Sequence, residues 1–190
     1  RLRRLSGGRT RIVFLGRPWA PLRLFDLVIT TPQYRLPDAP NVVHNLLPLN
    51  AIDPARMARE AERLAPDVAD LPRPHIAVLI GGSSGSYRLT PHAARALARR
   101  ANERANALGG SLLVTSSPRT PAAALDAFAR ALDAPARVYR WKPDDPDNPL
   151  MGYLGLAERL IVTGESASML AEACRTGKPV EVVPLPKRRR

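Results

Sequence analysis

From His75 onward the chain alternates without interruption between short apolar runs and amphipathic segments, most of them opened by a capping residue and a proline. Few folds accommodate that pattern. Residues 76–80 (Ile-Ala-Val-Leu-Ile) form a continuous apolar run of the kind buried on both faces of a parallel sheet. Thr90-Pro91 then opens a helix to about Ala107, with Ala94, Leu97, Ala98, Ala101, Ala105 and Leu108 on its buried side and Arg95, Arg99, Asn102, Glu103 and Asn106 outside. Residues 111–115 predict the next strand, and Thr120-Pro121 a helix with Leu125, Phe128, Ala129 and Leu132 on its core stripe. A third strand over 137–141, a short helix from Asn148-Pro149 through Ala157, a fourth strand over 160–162, a helix capped by Ser166 and a fifth strand over 179–183 complete the series. Such alternation means parallel strands joined by right-handed crossovers with helices on both faces, an α/β, Rossmann-like parallel sheet. Ligands of that architecture sit beyond the carboxyl ends of the strands.

Upstream the pattern differs. Residues 12–15, 26–30 and 41–44 are short apolar runs separated by turns with no helix of useful length between them, as expected for the last strands of another α/β domain. Asp53-Pro54 opens a helix with Met57, Ala58, Ala61 and Leu64 on its apolar side, ending near Ala65. Three prolines and no periodicity over 65–74 read as a linker. The expected organisation is therefore residues 1–65 as the end of an upstream domain plus a connecting helix, 66–74 as linker, and 75–190 as a Rossmann-like ligand-binding domain. The absence of an initial Met and of a complete element in the first ten residues suggests a fragment whose missing part lies upstream.

Three polar turns fall at the carboxyl ends of the predicted strands. In the first, Gly81, Gly82, Ser83, Ser84, Gly85, Ser86 and Arg88, glycines let the backbone approach an anion and hydroxyls donate to it. It has neither the ending of a P-loop nor the spacing of a dinucleotide fingerprint, and a flexible turn fits the same residues. The second, Thr115, Ser116, Ser117, Pro118 and Arg119, is rich in hydroxyls and carries one arginine suited to phosphate, although solvated arginines are common. In the third, Gly164 permits a reversal, Ser166 caps a helix, and Ala167, Leu170, Ala171 and Cys174 form an apolar stripe. Glu165, Ser168 and Glu172 face the other way, with Met169 beside them. Unpaired amides at a helix N-terminus suit phosphate, and a carboxylate further along can accept from ribose hydroxyls; a capped surface helix with a solvated Glu is the alternative. Trp141 ends a strand where it can flank a nucleobase or simply pack.

Other features exclude more than they assign. The net charge of +12 is concentrated in the ends: Arg1, Arg3, Arg4, Arg9, Arg11 and Lys187, Arg188, Arg189, Arg190 hold nine of the 29 bases, leaving 20 bases against 17 acids between 12 and 186. A nucleic-acid domain more often carries its basic stripe on the fold, so no nucleic-acid partner is expected. Solvated tails are the first reading and a peripheral contact with an anionic membrane the second. No run is long enough to span a membrane and no secretory leader is present. With a single cysteine, Cys174, expected to be buried, a cytoplasmic protein fits, peripheral at the inner face of the membrane if the tails dock there. Asp144, Asp145 and Asp147 lack regular ligand spacing, so no metal is expected, and His44, His75 and His92 have no acid partner that would make a general base.

Two sets of segments carry a family resemblance. Residues 81–85 after a strand, 164–173 and 177–180 (Gly-Lys-Pro-Val) resemble the C-terminal donor domain of GT-B glycosyltransferases. Residues 25–34, 41–45 and 115–120 resemble the mitochondrial-fission "elongated mitochondria" family and its bacterial relatives, described as glycosyltransferases or nucleoside-diphosphate-sugar enzymes. The resemblance spans about residues 5–183. It implies the C-terminal half of a GT-B-like fold and a nucleotide-sugar donor site, with Ser83–Ser86 and Ser166–Ser168 facing the diphosphate and Glu172 the ribose. It assigns no catalytic residue and no acceptor, since the acceptor-side domain lies upstream, and the nucleotide sugar is substrate rather than cofactor. A GT-B-type glycosyltransferase is the expected function. A non-catalytic adaptor and a nucleotide-sugar epimerase are the alternatives.

Overall fold

The computed structural model describes residues 2–187; Arg1 and residues 188–190, and with them part of the basic tails, lie outside the described residues. The chain divides into two compact units, Arg1–Leu49 and Asn50–Arg190.

The first unit contains a four-residue helix α1 (Leu2–Leu5) and three parallel strands, β1 (Val13–Leu15), β2 (Leu27–Thr30) and β3 (Val42–His44), ordered β1-β2-β3. Short 3-10 turns, Leu22–Leu24 and Pro32–Tyr34, take the place of crossover helices. Two polar side chains hold these irregular connections. Asn41 donates from Nδ2 to the carbonyls of Leu22 (2.8 Å) and Phe25 (2.9 Å). Asp26 accepts from the Ile12 amide (2.7 Å), from Arg11 (3.1 Å) and from Arg3. Arg3 and Arg11 therefore pair with a carboxylate of the fold, Arg11 with most of its side chain still in solvent. His44 likewise has an acidic neighbour, Asp38, at 3.1 Å.

The second unit begins with α2 (Pro54–Leu64), capped by Asp53, whose carboxylate accepts from the Ala55 amide (3.0 Å). There follow β4 (His75–Ile80), α3 (Pro91–Leu108), β5 (Ser111–Ser116), α4 (Ala122–Ala129), β6 (Ala136–Tyr139), α5 (Leu150–Leu156), β7 (Arg159–Thr163), α6 (Ala167–Arg175) and β8 (Val180–Val183). All five strands are parallel and ordered β6-β5-β4-β7-β8, which places the first of them in the middle as in a doubly wound sheet. Alternation along β4 feeds two separate cores. Ile76, Val78 and Ile80 pack with Leu97, Leu112, Val114 and Phe128 under α3 and α4, whereas Ala77 and Leu79 pack with Leu154, Leu160 and Val162 on the opposite face.

The boundary lies earlier than the proline-rich stretch suggested. Helix α2 packs on α5 within the second unit, because Gly152 and Gly155 give its backbone room: a Cβ on Gly155 would meet the Met57 carbonyl at 2.7 Å and the Ala61 methyl at 2.8 Å. Residues 65–74 are not a loose linker either. They hold a 3-10 turn, Ala65–Val68, with Val68 and Leu71 buried against Leu64, Leu113 and Tyr153.

Two residues change sides relative to the helical wheel. Asn102, read as exposed, is only 5% exposed. Its Nδ2 donates to Ala131 O (2.9 Å) and its Oδ1 accepts from the Asp133 amide (3.2 Å), fastening α3 to the chain after α4. Leu108, read as buried, is 42% exposed at the last residue of α3, next to the left-handed cap at Gly109. Lys178 also serves the fold. Its Nζ donates to the Leu154 and Gly155 carbonyls (2.7 and 2.8 Å), capping the negative end of α5, while its burial pulls the ammonium pKa below the usual lysine range.

Replacing Asn102 by Ala leaves the Asp133 and Ala134 amides and the Ala131 carbonyl without their partner, so urea unfolding of Asn102→Ala should show a loss of about 1–3 kcal/mol at unchanged m-value. The Ile12 amide, reinforced by Arg11 and Arg3 against partial burial, holds the Asp26 carboxyl at about 2. Because that value is depressed, the stability it contributes is complete above the unfolded-state value and is lost as pH falls towards 2. An NMR titration should place the Asp26 midpoint near 2, and Asp26→Asn should remove that part of the acid dependence.

Candidate functional site

The carboxyl ends of β4, β5 and β7 are joined by backbone and side-chain hydrogen bonds, and these decide which polar groups remain for a ligand. At the end of β4, the Gly81 amide donates to Thr163 Oγ1 (2.8 Å) and the Gly82 amide to Glu165 Oε1 (2.8 Å). From the other side, Thr120 donates from Oγ1 to the Ile80 and Gly81 carbonyls (3.0 and 2.6 Å) and accepts from the Ser117 amide (2.8 Å). Thr120 is thus a bridge between strand ends and not a helix cap; Pro121 occupies that position before α4. A side chain on Gly81 would overlap Glu165 and Thr163, and one on Gly82 would overlap the Arg119 carbonyl. Space, not a positive φ, is what these glycines supply; in this turn only Gly85 is left-handed (φ 56°). Gly164 acts similarly, its missing Cβ facing Val182 at 3.0 Å.

Much of the rest of the first turn is also committed within the protein, although no hydrogen bond among the described residues engages the Ser84 and Ser86 hydroxyls. Ser83 Oγ accepts from the Leu89 amide (3.2 Å), and Ser84 pairs with Tyr87 in a tight turn. Arg88 donates to the Gly85 and Tyr87 carbonyls (both 2.8 Å), while its amide donates to Pro186 O (2.9 Å) and Tyr87 bridges to Lys187. Gly85 and Ser86 are exposed at the tip.

Beside this fastened turn lies a hollow of about 290 Å³. It gathers Thr115 and Ser116 at the end of β5, Ser117, Pro118 and Arg119 just after it, Trp141 after β6, and Ser166, Ser168, Met169 and Glu172 of the α6 turn. Leu79, Asn148 and Leu150 complete the lining. Gly81, Gly82, Ser83, Ser84, Gly85, Ser86, Arg88, Gly164, Glu165 and Ala167 do not line it. The second and third sequence-predicted turns therefore share one cavity with Trp141, and the first stands outside it as a support. Asn148 was missed as a site residue. As an Asn before a proline it reads as a helix opener, and its Oδ1 does accept from the Leu150 amide (3.1 Å); its place at the rim comes from the path of the loop after β6.

Electrostatics within the hollow are uneven. Ser166 has the extended backbone of an N-cap, but its hydroxyl accepts from Arg119 Nη2 (3.1 Å) and makes no cap bond, so no side chain satisfies the first-turn amides of α6. A guanidinium and a positive helix end thus converge. Six residues along, burial raises the Glu172 carboxyl above the usual carboxylate range, and no hydrogen bond from the described residues reaches it. The second oxygen of Glu165 is also buried without a partner. Trp141 is half-buried, its amide held by Ser116 Oγ (2.9 Å). Cys174, expected on the buried stripe, is exposed; Ala171 and Ala173 are the buried residues of α6.

The remaining titratable candidates lie elsewhere in the second unit. His75 starts β4 at the opposite end of the sheet, where Nδ1 and Ser111 Oγ are 2.8 Å apart and burial lowers its pKa. Asp145 is drawn to the Tyr139 hydroxyl (2.8 Å), which lowers its pKa, so the acidic loop is partly committed. Among the described residues no three His, Cys, Asp or Glu side chains gather as a metal site, and no helix is long and apolar enough to cross a membrane.

With that geometry in hand, comparison with known proteins is informative at the level of family. A universal stress protein from Archaeoglobus fulgidus is 15% identical with a TM-score of 0.37, covering 58% of this chain and 93% of that one, a likeness too slight to carry argument. The mitochondrial fission protein ELM1 of Arabidopsis thaliana is 31% identical over 206 residues, covering 96% of this chain and 47% of the plant protein. The chain thus spans about half the length of that curated relative. The family model described as mitochondrial fission ELM1 matches residues 1–190, and the chain belongs to that family.

Proposed function

We propose that the second unit binds the nucleotide part of a sugar donor in the hollow and that the complete protein is a GT-B-type, metal-independent glycosyltransferase. The observation that carries this reading is the convergence of Arg119, the uncapped start of α6 and Glu172 on one cavity at the carboxyl ends of parallel strands. Phosphate oxygens accept from the α6 amides, Ser168 and Arg119. Ribose hydroxyls donate to Glu172, and the base lies against Trp141. A hollow of about 290 Å³ holds a nucleoside with its phosphates and leaves the sugar outside. During transfer, the groups that hold the phosphate stabilise the charge developing on the departing nucleoside diphosphate. The acceptor and the base that activates it belong to parts of the protein outside this hollow.

A non-catalytic family member is the second reading. It is favoured by the name of the plant relative and by the fastening of the Gly81 and Gly82 amides, which leaves Arg119 as the one cation lining the hollow among the described residues.

Titration calorimetry of the complete protein with UDP-, GDP- and ADP-sugars should detect one of them, and silence for all three at millimolar concentration rejects the donor-site reading. Arg119→Ala removes a charged hydrogen-bond donor and should weaken the active nucleotide by about 1.5–3 kcal/mol. Glu172→Gln should do two opposite things. A carboxyl raised above its unfolded value contributes stability that is present below that unfolded value and is lost as pH rises through the folded one, so the neutral Gln should unfold at higher temperature than wild type at pH 7. The same variant should bind nucleotide more weakly, because an amide accepts less strongly than a carboxylate. Greater stability with unchanged binding would leave Glu172 a structural residue only.

A further inference from the structure

The hollow at the carboxyl ends of the strands does not offer the same chemistry on all sides. Arg119 and the start of α6 supply donors suited to phosphate, and Glu172 an acceptor suited to ribose. The wall formed by the loop between β6 and α5 is different. Two side chains with polar atoms line it there, Trp141 and Asn148. The indole Nε1 is a donor only. Asn148 carries both kinds of group, but its Oδ1 accepts from the Leu150 amide (3.1 Å) in the turn that opens α5. That bond fixes the carboxamide with its oxygen turned to Leu150. Nδ2, on the other side of the half-buried carboxamide, meets no acceptor among the described residues and remains a donor.

Hydroxyls beside this wall are already committed. Ser116 Oγ accepts from the Trp141 amide (2.9 Å) and lies 3.5 Å from the Tyr139 carbonyl, and Thr115 Oγ1 donates to the Ser116 carbonyl (3.4 Å). Glu172 is the one carboxylate lining the hollow, and it belongs to α6. The loop after β6 therefore presents side-chain donors to a ligand and no side-chain acceptor of its own. Nucleobases divide on this property. Uracil and guanine carry exocyclic oxygens, O4 and O6, which accept, whereas cytosine and adenine carry amino groups, N4 and N6, which donate. An amino group set against this wall leaves donors facing donors, and each stays unpaired.

We propose that the nucleotide held in the hollow has an oxo base, uracil or guanine, with Asn148 Nδ2 donating to its exocyclic oxygen, and that Asn148 is the residue that rejects cytosine and adenine. This rests on the donor-site reading above and adds the base to it.

Titration calorimetry of the complete protein with UDP, GDP, CDP and ADP isolates the base, because the four share ribose and diphosphate. UDP or GDP should bind about tenfold or more tightly than CDP and ADP, and the tighter of the two identifies the base. Asn148→Asp keeps an oxygen for the Leu150 amide and puts an acceptor in place of the donor. Its added negative charge weakens all four ligands, so the readout is the ratio between bases, which should fall by about tenfold or invert towards CDP or ADP. Asn148→Ser also keeps an oxygen for that amide and should lose the preference without inverting it; it decides the matter if the Asp variant misfolds or binds too weakly to rank. CDP or ADP binding as tightly as UDP and GDP overturns the assignment of the base and leaves the donor site standing. So does an unchanged ratio in the Asp variant, or in the Ser variant where that one decides. Silence for all four overturns both readings together.

Discussion

Three strand ends are held together by one pair of glycines. Because Gly81 and Gly82 have no side chains, the loop after β5 and the turn after β7 close on them from opposite sides, and their amides pass to Thr163 and Glu165. A methyl at either position would separate contacts among Arg119, Thr163 and Glu165. The hollow depends on this closure indirectly. Arg119 reaches Ser166 because its own backbone is seated on Gly82, and Ser166 is free of a capping bond because its hydroxyl accepts from Arg119. A motif that reads as a phosphate cradle is in this protein a stitch that sets the distance between the two loops lining the cavity.

That distinction marks how far the sequence could be read. The inner strands β4, β5 and β7 were legible because each carries an apolar run buried on both faces, the strongest local signal a parallel sheet leaves, whereas the half-buried edge strands β6 and β8, which contain Arg137 and Glu181, followed from the alternation with helices. Asp53 and Thr90 were legible as caps for a similar reason, since the cap and its amide are neighbours in the chain. Asn102 and Thr120 were not, because their partners lie 29 or more residues away and a helical wheel or a Thr-Pro pair contains no trace of them. The packing of α2 on α5 was not legible either, because Gly152 and Gly155 admit α2 through a close approach that only two packed helices reveal.

Within the hollow, legibility followed residue type. Hydroxyls, Arg119, Trp141 and Glu172 stand out because a strand end in an α/β fold favours them for ligands, and the second and third turns do meet. Gly81–Arg88 stands out for the same reason and lies elsewhere, since glycine and serine serve a tight protein contact as readily as an anion. Asn148 did not stand out because its local bond to Leu150 is reason enough for an Asn there. Sequence specifies which groups are available, and the hydrogen-bond partners they find decide which remain so.

The two ends of the main sheet differ in this respect, and the difference locates function better than any single residue. At the amino end, polar groups are matched: His75 with Ser111, the His75 amide with Glu158 (2.6 Å), and Glu158 with Arg73. At the same end, Lys178 satisfies two helix carbonyls. At the carboxyl end, half-buried Glu172 receives no hydrogen bond from the described residues, one oxygen of Glu165 is buried without a partner, and the amides opening α6 have no side-chain cap. Each costs folding free energy, since buried polar groups are ordinarily paired. A fold that satisfies one end of its sheet and leaves donors and acceptors open at the other has its local instability where a ligand with both kinds of group would relieve it. Phosphate oxygens accept and ribose hydroxyls donate, so the nucleotide proposed for the hollow would meet both demands at once, where sulfate would meet only the first.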